Sequence, residues 1–455
     1  MRKIRYVTNQ LNTMSHDEII QYRETKLLNQ VKYSYRNSEF YQKKFKEIGV
    51  QPQEIRSIDD FRKLPILMDK EQERQSQAES MERFGHPFGM HLCCSPDDVV
   101  MTATTSGTTG IPTFTYTLAQ HDLNNISSAV SYMMEYGRVS PGDRLLFNHA
   151  LGIYATSAVL PGIRKAGVLP IDVDVRAGTA AILQYAKLTK PTAAMMTPSL
   201  AEHLIQKSPE ISGTEVRDLQ LSALFTVGEI AIGIPEVKQK IEDAYNCRVY
   251  DWIGPLAGTL AFSCDSDEYH GMHCVTPDFD LYPYDLVDPE TKKPIDIVDG
   301  VIGEAVYSSL DKKAVPMLRM GSGDIVQVLT KECPGCGFKG LRVKVIGRSD
   351  DMLIVKGVNV YPAAIKKVIN TFIPEVTGEI RIVLEQAPPR VEPPLKVKVE
   401  YGYGVDSGRL PYLEEIIKRA LSQEVRVNPE IIWCSPGTLE KSLAKTPVFE
   451  KNYHA

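Results

Sequence analysis

Residues 192–253 carry three short apolar runs: TAAMMT (192–197), LSALFTV (221–227) and CRVYDWI (247–253). Runs of this length are typical of buried strands, and the stretches between them are long enough for a helix. A helical spacing of apolar residues also precedes them at 179–188. Strands that alternate with helices form βαβ units, so this region predicts a parallel sheet covered by helices.

The regions before and after this predicted sheet differ in their spacing of apolar residues and in their content of turn residues. Residues 15–50 show apolar side chains at helical spacing. Beyond about residue 275 the chain is strand-like and rich in turns, which predicts a smaller antiparallel subdomain. After residue 350 the order strand–helix–strand–strand–helix–strand predicts a small α+β domain, with the Pro-rich segment 386–394 as an exposed loop. The expected fold class is α/β, with a large N-terminal domain of parallel and mixed sheets.

Composition and charge exclude several classes of protein. The 455 residues include 52 Lys+Arg and 57 Asp+Glu, a net charge of −5, which predicts no nucleic-acid partner. No uncharged apolar run reaches the length of a membrane span, and the N-terminal MRKIRYVTNQ lacks the apolar segment of a secretory signal. The prediction is a cytoplasmic protein with no membrane partner. The eight cysteines are then expected to be reduced thiols or metal ligands.

The sharpest local signal is TTSGTTGIPT (104–113), a loop of small and polar residues. Glycines permit the unusual backbone dihedrals of such a loop, and its N–H groups and hydroxyls can donate to phosphate oxygens. An ordinary polar turn has the same composition. The segment by itself therefore indicates a phosphate-binding loop without excluding that simpler interpretation.

Two segments far downstream add a second signal. They are RMGSGD (319–324) and IGRSDDMLIVKGVNVYP (346–362). An aspartate after a turn can accept both hydroxyls of a ribose, and an arginine nearby can approach a phosphate or the same ribose. Each segment alone is equally compatible with a surface turn that carries a salt bridge.

The order of these motifs, followed by a lysine near the C-terminus, resembles the adenylate-forming enzymes and, within them, the phenylacetate–CoA ligases and related aryl-CoA ligases. The resemblance covers essentially the whole chain and includes YRNSEFYQKKFKEIGV (35–50) and TPSL (197–200). It implies an N-terminal adenylate-forming domain over 1–349 and a mobile C-terminal domain over 350–455, joined by a hinge. In the reaction it implies, a carboxylate attacks the α-phosphate of ATP and releases pyrophosphate. The thiol of coenzyme A then displaces AMP.

The resemblance also implies roles for individual residues. Asp350 matches the hinge, and Lys445 in EKSLAK (440–445) matches the catalytic lysine that stabilises charge developing on the α-phosphate. The positions that match the coenzyme A loop are Lys356, Gly357, Val358 and Asn359. The positions that match the nucleotide site are Thr105, Ser106, Gly107, Thr108, Thr109, Gly110, Gly228, Glu229, Asp251, Trp252, Asp324 and Arg348.

The acyl pocket is expected around His149, Gly152, Ile153, Tyr154 and Val227. Apolar and aromatic walls favour a flat aromatic acid, and His149 can bond a ring substituent. The expected small-molecule partners are this acid, ATP with Mg²⁺, and coenzyme A. The sequence does not decide whether the thiol acceptor is coenzyme A or an acyl carrier protein. It also leaves the oligomeric state open, with a homodimer as one form.

Two positions depart from the family pattern. Ile111 stands where the family usually has Lys, and Ala257 takes the place of a Glu that helps to hold Mg²⁺. Mg²⁺ commonly keeps several waters and needs only one or two carboxylates, so activity can survive this loss. The departures also keep two alternatives open: an acyltransferase between coenzyme A and a carrier protein that needs no ATP, and an inactive protein that binds an acyl-CoA or nucleotide.

Cysteine spacing indicates a further site. Cys333 and Cys336 form a two-ligand knuckle, and Cys264 and His273 lie nine residues apart upstream. Three cysteines and one histidine are an accepted tetrahedral set for zinc, and the resembling family often has these residue types at these places. His270 and Cys274 are competing ligands. The prediction is a structural zinc ion, since four protein ligands leave no open position.

Overall fold

The computed structural model describes residues 2–105, 112–254, 258–349, 351–356, 358–386, 388–439 and 448–453. Within these ranges the α-helices are α1 His16–Asn37, α2 Glu39–Glu47, α3 Ile58–Arg62, α4 Lys70–Phe84, α5 Gln120–Tyr136, α6 Leu160–Lys165, α7 Thr179–Thr189, α8 Pro198–Ser212, α9 Pro235–Tyr245, α10 Pro362–Asn370 and α11 Leu410–Glu424.

The strands are β1 Val99–Thr105, β2 Thr113–Ala119, β3 Arg144–Phe147, β4 Leu169–Asp172, β5 Ala193–Met196, β6 Ala223–Thr226, β7 Arg248–Ile253, β8 Ala261–Ser263, β9 Met272–Cys274, β10 Leu286–Val287, β11 Ile302–Tyr307, β12 Met320–Leu329, β13 Arg342–Arg348, β14 Leu353–Val355, β15 Val358–Val360, β16 Val376–Leu384, β17 Arg390–Val391, β18 Lys396–Tyr401, β19 Glu430–Cys434 and β20 Phe449–Lys451.

An eleven-stranded sheet, in the order β10-β11-β12-β13-β9-β8-β7-β6-β5-β3-β4, organises residues 144–348. Strands β3 to β7 pair in parallel, as the apolar runs predict. Antiparallel pairing begins at β8, where Trp252 opposes Phe262, which is earlier than the predicted change near residue 275. The antiparallel part is therefore continuous with the parallel sheet, because β7 pairs with a strand on both of its edges.

Both faces of the parallel strands are buried, which explains why they appear as unbroken apolar runs in the sequence. Along β3, Leu145 and Phe147 pack into one core cluster with α5 and α6, whereas Leu146 packs into another with α7, α8 and α9. Successive side chains of a strand point to opposite faces, so each run contributes to both clusters. The predicted helix-covered sheet is confirmed.

The C-terminal strands form two smaller sheets around their own core. One sheet has the order β19-β18-β16-β20 and the other β15-β14-β17, and α10 and α11 pack against them. The predicted order of strands and helices agrees with this arrangement. One detail differs: the segment 386–394, predicted as a loop, contains β17, which pairs in parallel with β14. Two paired residues in a Pro-rich stretch leave no periodic signal in a sequence.

None of the helices in the described ranges is both long and apolar enough to cross a membrane. The N-terminal helices instead cover the antiparallel part of the large sheet. Leu27 of α1, Tyr41 of α2 and Phe61 of α3 are fully buried in a shared cluster with Leu281 and Leu318. The Tyr41 hydroxyl donates to the carbonyl oxygen of Pro316 at 2.7 Å, so the first sixty residues are fixed to the segment that leads into β12.

A buried ion pair anchors the start of the RMGSGD segment. Arg319 and Asp285 are fully buried, and Nη1 of Arg319 lies 2.8 Å from both carboxylate oxygens of Asp285. Removing one member of such a pair leaves an uncompensated charge in a medium of low polarity. Arg319 is therefore a structural residue of the motif and not a surface one.

We expect Asp285→Asn to lower the free energy of unfolding by about 3 to 5 kcal/mol, because the Arg319 guanidinium would stay buried without a full counter-charge. The measurement is the shift of the urea unfolding midpoint. Asp296→Asn is the matched control, since Asp296 is exposed and its change should stay within about 0.5 kcal/mol. Equal midpoints for the two variants would contradict the assignment.

Candidate functional site

The predicted acyl and nucleotide residues lie where the parallel strands end. Asn148 and His149 follow β3, Val227 and Gly228 follow β6, and Asp251 lies near the end of β7. The carboxyl ends of parallel strands meet at one edge of a sheet, and ligands of open α/β sheets bind in the crevice outside that edge. The topology thus brings these separate sequence segments to a single place.

His149 and its neighbour Asn148 supply buried polar atoms at this edge. Nε2 of His149 and Oδ1 of Asn148 have no hydrogen-bond partner among the described residues. Nδ2 of Asn148 donates to the carbonyl oxygen of Val173 at 3.2 Å, which fixes the orientation of the amide. Buried polar atoms normally have hydrogen-bond partners, so two such atoms without a partner in a crevice indicate that a polar group of a ligand binds there. Sequence reasoning missed Asn148, although its place directly after a buried strand was a usable signal.

The segment Gly152 to Tyr154 contacts the strand that leads into the predicted phosphate loop. The N–H of Thr104 donates to the carbonyl oxygen of Ile153 at 2.5 Å, and Thr104 forms an isolated bridge with Tyr154. Gly152 has a φ of +91°, a conformation that favours glycine. Thr105 ends β1, and the loop residues Ser106, Gly107, Thr108, Thr109 and Gly110, together with Ile111, lie outside the described residues. The acyl segment and the start of that loop are therefore adjacent.

Glu229 is held by the start of helix α8. Its Oε2 accepts from the backbone N–H of Ser199 at 3.0 Å and from the Ser199 hydroxyl at 2.6 Å. Gly228, with a φ of +94°, makes the turn that places this carboxylate after β6. A carboxylate near a helix N-terminus is stabilised by the N–H groups there. The predicted pair Gly228 and Glu229 thus has a fixed conformation at the crevice.

Asp251 and Trp252 have opposite surroundings. Tyr269 donates its hydroxyl proton to Oδ2 of Asp251 at 2.7 Å, and burial raises the pKa of the Asp251 carboxyl to about 7. The Trp252 side chain points to the other face of β7 and is buried in the core with Phe262. The two side chains therefore lie on opposite faces of β7, and the nucleotide contact of each stays a prediction. Alternation along a strand was the signal for this difference.

Asp324 and Arg348 meet on neighbouring strands. They are directly opposite each other in the β12–β13 register, and Nη1 of Arg348 lies 2.6 Å from Oδ1 of Asp324. The Tyr307 hydroxyl approaches Oδ2 of Asp324 at 3.4 Å. Gly323, with a φ of +75°, precedes the aspartate, and a Cβ there would lie 3.0 Å from the Arg348 guanidinium. The two motifs predicted to act together are thus joined by a charge-assisted hydrogen bond.

The predicted coenzyme A segment lies on the turn of the β14–β15 hairpin. Lys356 is exposed on this turn with a φ of +49°, and Val358 packs partly against the C-terminal core. Tyr361, just after the hairpin, lies against the large sheet, since a Cβ on Gly347 would be 2.9 Å from its ring. Asp350, Gly357, Lys445 and Ala257, as well as the side chain of Asn359, lie outside the described residues.

Three cysteines and one histidine converge as the spacing predicts. The sulfur atoms of Cys264, Cys333 and Cys336 and a ring nitrogen of His273 all lie within 4.8 Å of one another, and all four residues are buried. Nε2 of His273 is 3.3 Å from Sγ of Cys336, while Nδ1 faces the carbonyl oxygen of Phe262 at 3.1 Å. Ligands of a tetrahedral zinc ion are separated by about 3.5 to 3.8 Å. The competing candidates His270 and Cys274 are outside this group.

Within the same cluster the electrostatics favour a thiolate at Cys336, whereas the hydrogen bond to Cys336 raises the pKa of the Cys264 thiol. A hydrogen bond from Cys264 and the neighbouring His273 hold the pKa of the Cys336 thiol far below its ordinary value. The carbonyl of Phe262 fixes which nitrogen of His273 carries the proton, as is usual for histidines that bind a metal through the other nitrogen. The four groups are therefore preorganised for a soft divalent cation.

Comparison with known proteins agrees with this geometry. Residues 39–310 match the family model of the AMP-binding enzymes, and residues 357–451 match the model of the AMP-binding enzyme C-terminal domain. The fold is that of the adenylate-forming CoA ligases. The chain belongs to the AMP-binding enzyme family, and the resemblance found in the sequence is confirmed.

Curated relatives share one name. The chain is 27% identical to the phenylacetate-coenzyme A ligase of Thermus thermophilus, over 95% of this chain and 96% of the relative. It is 26% identical to the enzyme of the same name from Pseudomonas putida, over 97% and 96%. The relatives thus align along nearly the whole chain, including both family models.

A solved 2-hydroxyisobutyryl-CoA ligase provides a comparison in two states. In its postadenylation state, with a bound acyl-AMP, the TM-score is 0.83 at 26% identity, covering 96% of this chain and 90% of that one. In its thioesterification state, with acyl-AMP and coenzyme A, the TM-score is 0.67 at the same identity, covering 96% and 91%. Both structures have the same sequence identity to this chain, so the difference between the two TM-scores reflects a difference in conformation between the two states.

We expect His149 to stay neutral down to about pH 5, because burial lowers the pKa of its imidazole to about 4. The unfolded chain then binds more protons than the folded one between about pH 4 and 6.5, so this residue makes stability fall as the pH drops through that window. The measurement is the NMR titration of its ring protons, assigned with His149→Gln. A titration near pH 6.5 would show that the ring is solvated.

Proposed function

We propose that this chain is an AMP-forming acid–thiol ligase that activates an aromatic or arylacetic carboxylic acid. In the first step a carboxylate oxygen of the acid attacks the α-phosphorus of ATP, and pyrophosphate leaves. In the second step the thiol of coenzyme A attacks the acyl carbon, and AMP leaves. The observation that carries the proposal is the match, over 80% to 97% of this chain, to four curated relatives that are all named phenylacetate-coenzyme A ligase.

The Asp324 carboxylate is the proposed ligand of the ribose hydroxyls. Arg348 fixes its orientation from β13, and Ser322 accepts from its backbone N–H at 2.9 Å. Because the Asp324 carboxylate is already held in one orientation, it loses little conformational freedom when the nucleotide binds. Its hydrogen bonds to the ribose therefore contribute more to affinity. The proposed contacts to the nucleotide base come from Gly228, Glu229 and Asp251. The proposed phosphate-binding loop consists of residues 105–110.

The acyl group is proposed to lie against His149, Ile153 and Val227. A neutral imidazole and the Asn148 amide can bond a polar ring substituent or a carbonyl without bringing a charge into the pocket. The outer wall of the pocket would consist of Gly152 and Tyr154. The guanidinium carbon of Arg176 lies 5.4 Å from the centre of the Tyr154 ring. Walls of this kind suit a flat aromatic body.

The C-terminal region is proposed to move between the two steps. We place the domain boundary at 349/350, with Asp350 as the hinge, Lys445 at the α-phosphate during adenylation, and the loop from Lys356 to Asn359 near the thiol afterwards. The higher TM-score against the postadenylation state supports an arrangement of this chain nearer to that state than to the thioesterification state. A rotation between the two steps would let one chain serve both reactions.

The alternatives that arise from Ile111 and Ala257 receive no support from the relatives, all of which are ligases by name. An ATP-independent acyltransferase would transfer the acyl group from its thioester without AMP release. An inactive binding protein would gain thermal stability from a nucleotide without turnover. A carrier-protein partner, a homodimer and a cytoplasmic location stay predictions from the sequence, as does the requirement for Mg²⁺.

The test is an assay with ATP, Mg²⁺, coenzyme A and a panel of aromatic and arylacetic acids, in which AMP and the thioester are both measured. We expect Lys445→Ala to slow acyl-adenylate formation about a hundredfold or more, because it removes a cation where charge develops. Thioester formation from supplied acyl-adenylate should be nearly unchanged. Lys441→Ala, four residues earlier in the same segment, is the matched control.

The outcomes separate the hypotheses. Neither AMP nor thioester across the whole panel would contradict the ligase. Thioester exchange without AMP release would favour the acyltransferase. If Lys445→Ala slowed both half-reactions equally, or neither, the role assigned to Lys445 would be wrong while the ligase could still stand.

The cluster of Cys264, His273, Cys333 and Cys336 is proposed to hold one structural zinc ion. All four donors come from the protein and the cluster is buried in the main core, which suits a closed tetrahedral site. The ion would join the β8–β9 hairpin to the knuckle between β12 and β13. No reaction step is assigned to it.

We expect elemental analysis to find one zinc per chain and Cys333→Ser to lower both zinc content and the thermal midpoint, because metal binding to the folded state contributes to folding. Cys434→Ser is the control, since Cys434 lies in β19, outside the cluster. A purified protein that is free of zinc and unfolds at the same midpoint after zinc addition would remove the ion from the proposal.

A further inference from the structure

A second cavity, of about 480 Å³, lies on the side of the antiparallel strands covered by the N-terminal helices. It is bounded by α1, by the irregular segment after β9 and by residues 339–341. None of the residues assigned above to the nucleotide, acyl, coenzyme A or zinc sites is among the described residues that line it. Its volume falls in the range of small-molecule sites.

Two buried arginines face this cavity. Arg23 of α1 is 5% exposed, and Arg62, the last residue of α3, is 9% exposed. Both guanidiniums lie close to the ring of Tyr284, with carbon-to-centre distances of 5.1 and 5.9 Å. Side chains from two separate helices thus bring their positive charges to one wall of the cavity.

The hydrogen bonding of these arginines is incomplete. Nη2 of Arg23 donates to the carbonyl oxygen of Asp280 at 3.3 Å, and Nη2 of Arg62 donates to that of Ile295 at 2.5 Å. The Nε–H of each arginine has no hydrogen-bond acceptor among the described residues, and the same holds for the hydroxyl of Tyr282, which also lines the cavity. Buried donors left unsatisfied are costly, so these three point to an acceptor that the chain itself does not supply.

The nearby carboxylates do not hydrogen-bond to the two arginines. Asp285 is bonded to Arg319 at 2.8 Å and lies 3.8 Å from Nε of Arg62, beyond hydrogen-bond distance. Asp280 accepts from the Tyr282 N–H and the Thr259 hydroxyl. Burial raises the pKa of the Asp280 carboxyl to about 7 and that of Asp285 to about 6. Nη1 of Arg62 also lies 3.8 Å from the exposed carboxylate of Asp59. Carboxylates are therefore near both arginines, but none of those described accepts a hydrogen bond from either guanidinium.

The outer part of the cavity is mixed in charge and partly apolar. His16 and Lys339 add basic groups, and the exposed Asp296 adds one acid. Ile297 and Leu341 add apolar surface. The apolar surface leaves room for a small organic body attached to an anionic group.

We propose that this cavity is a second ligand site, separate from the active site, which binds a small oxyanion, a phosphate or a carboxylate, through Arg23, Arg62 and the Tyr282 hydroxyl. An oxyanion offers several acceptor lone pairs and a negative charge, so it would supply both the missing acceptors and a counter-charge at hydrogen-bond distance. A bridging water would supply acceptors but no charge. The site is independent of the function proposed above.

The test is calorimetric titration of the full-length protein with inorganic phosphate and, separately, with acetate, at low ionic strength. One series of titrations contains saturating AMP and coenzyme A, so that the nucleotide and thiol sites are occupied, and a second series omits both. We expect one equivalent of at least one anion to bind per chain. Stronger binding of phosphate or of acetate identifies which oxyanion the site prefers.

Variants locate the binding. Arg23→Gln and Arg62→Gln should each weaken it about tenfold or more, as expected for loss of a charge-assisted hydrogen bond. Arg56→Gln is the matched control, because Arg56 is exposed on the same segment and does not line the cavity. Ile297→Trp keeps both arginines but fills the space, and it should abolish binding even if an arginine variant fails to fold.

Three results would overturn the proposal. The first is no saturable binding of either anion. The second is binding that appears only when AMP and coenzyme A are omitted, which would assign the anion to the active site. The third is binding that Ile297→Trp and the folded arginine variants leave as strong as in Arg56→Gln.

Discussion

The hydrogen bonding of strand β7 on both edges is the constraint on which the rest of the molecule depends. It pairs in parallel with β6 and antiparallel with β8, so its backbone joins two different kinds of sheet. A central strand cannot leave its N–H and C=O groups unpaired in the core. The crevice residues after β3 and β6 and the Asp324–Arg348 pair on β12 and β13 consequently belong to one continuous sheet, and Asp251 lies on the strand between them.

Three acidic residues in the crevice are each oriented by a different kind of donor. Glu229 accepts from Ser199 at a helix N-terminus, Asp251 from the Tyr269 phenol, and Asp324 from the Arg348 guanidinium. Only the last partner carries a charge, and burial raises the pKa of Asp251 to about 7. The crevice therefore presents prearranged acceptors without a block of like negative charges, which suits a site that must admit an anionic nucleotide.

Short sequence patterns predicted the parallel strands and the Cys/His cluster, because each of these features depends on residues that lie close together in the sequence or on their spacing. The apolar runs gave the parallel strands because both of their faces are buried, and the spacing of Cys264, His273, Cys333 and Cys336 gave a cluster because hairpins return the chain to the same place. The partners of the site residues were not predictable in this way. Tyr269 reaches Asp251 from an irregular segment, and Asn148 gains its importance only because the sheet buries the end of β3.

Family positions do not by themselves say which face of a strand a side chain occupies. Adjacent residues such as Asp251 and Trp252 point to opposite faces of β7, so their surroundings differ although one motif names both. Arg319 illustrates the converse, since it belongs to a motif of the nucleotide site yet is fully buried against Asp285.

The aromatic pair Tyr282 and Tyr307 separates two chemically different environments. The rings stack with centres 5.3 Å apart; the Tyr307 hydroxyl faces Asp324, whereas Tyr282 lines the cavity that contains Arg23 and Arg62. Burying a guanidinium costs several kcal/mol unless a charge and hydrogen bonds offset it, and Arg319 has that offset in Asp285. Arg23 and Arg62 have mainly carbonyl oxygens and the Tyr284 ring. The difference is therefore in the partners and not in burial itself: Arg319 has a bonded carboxylate, whereas Arg23 and Arg62 line a cavity with only carbonyl oxygens as hydrogen-bond acceptors among the described residues.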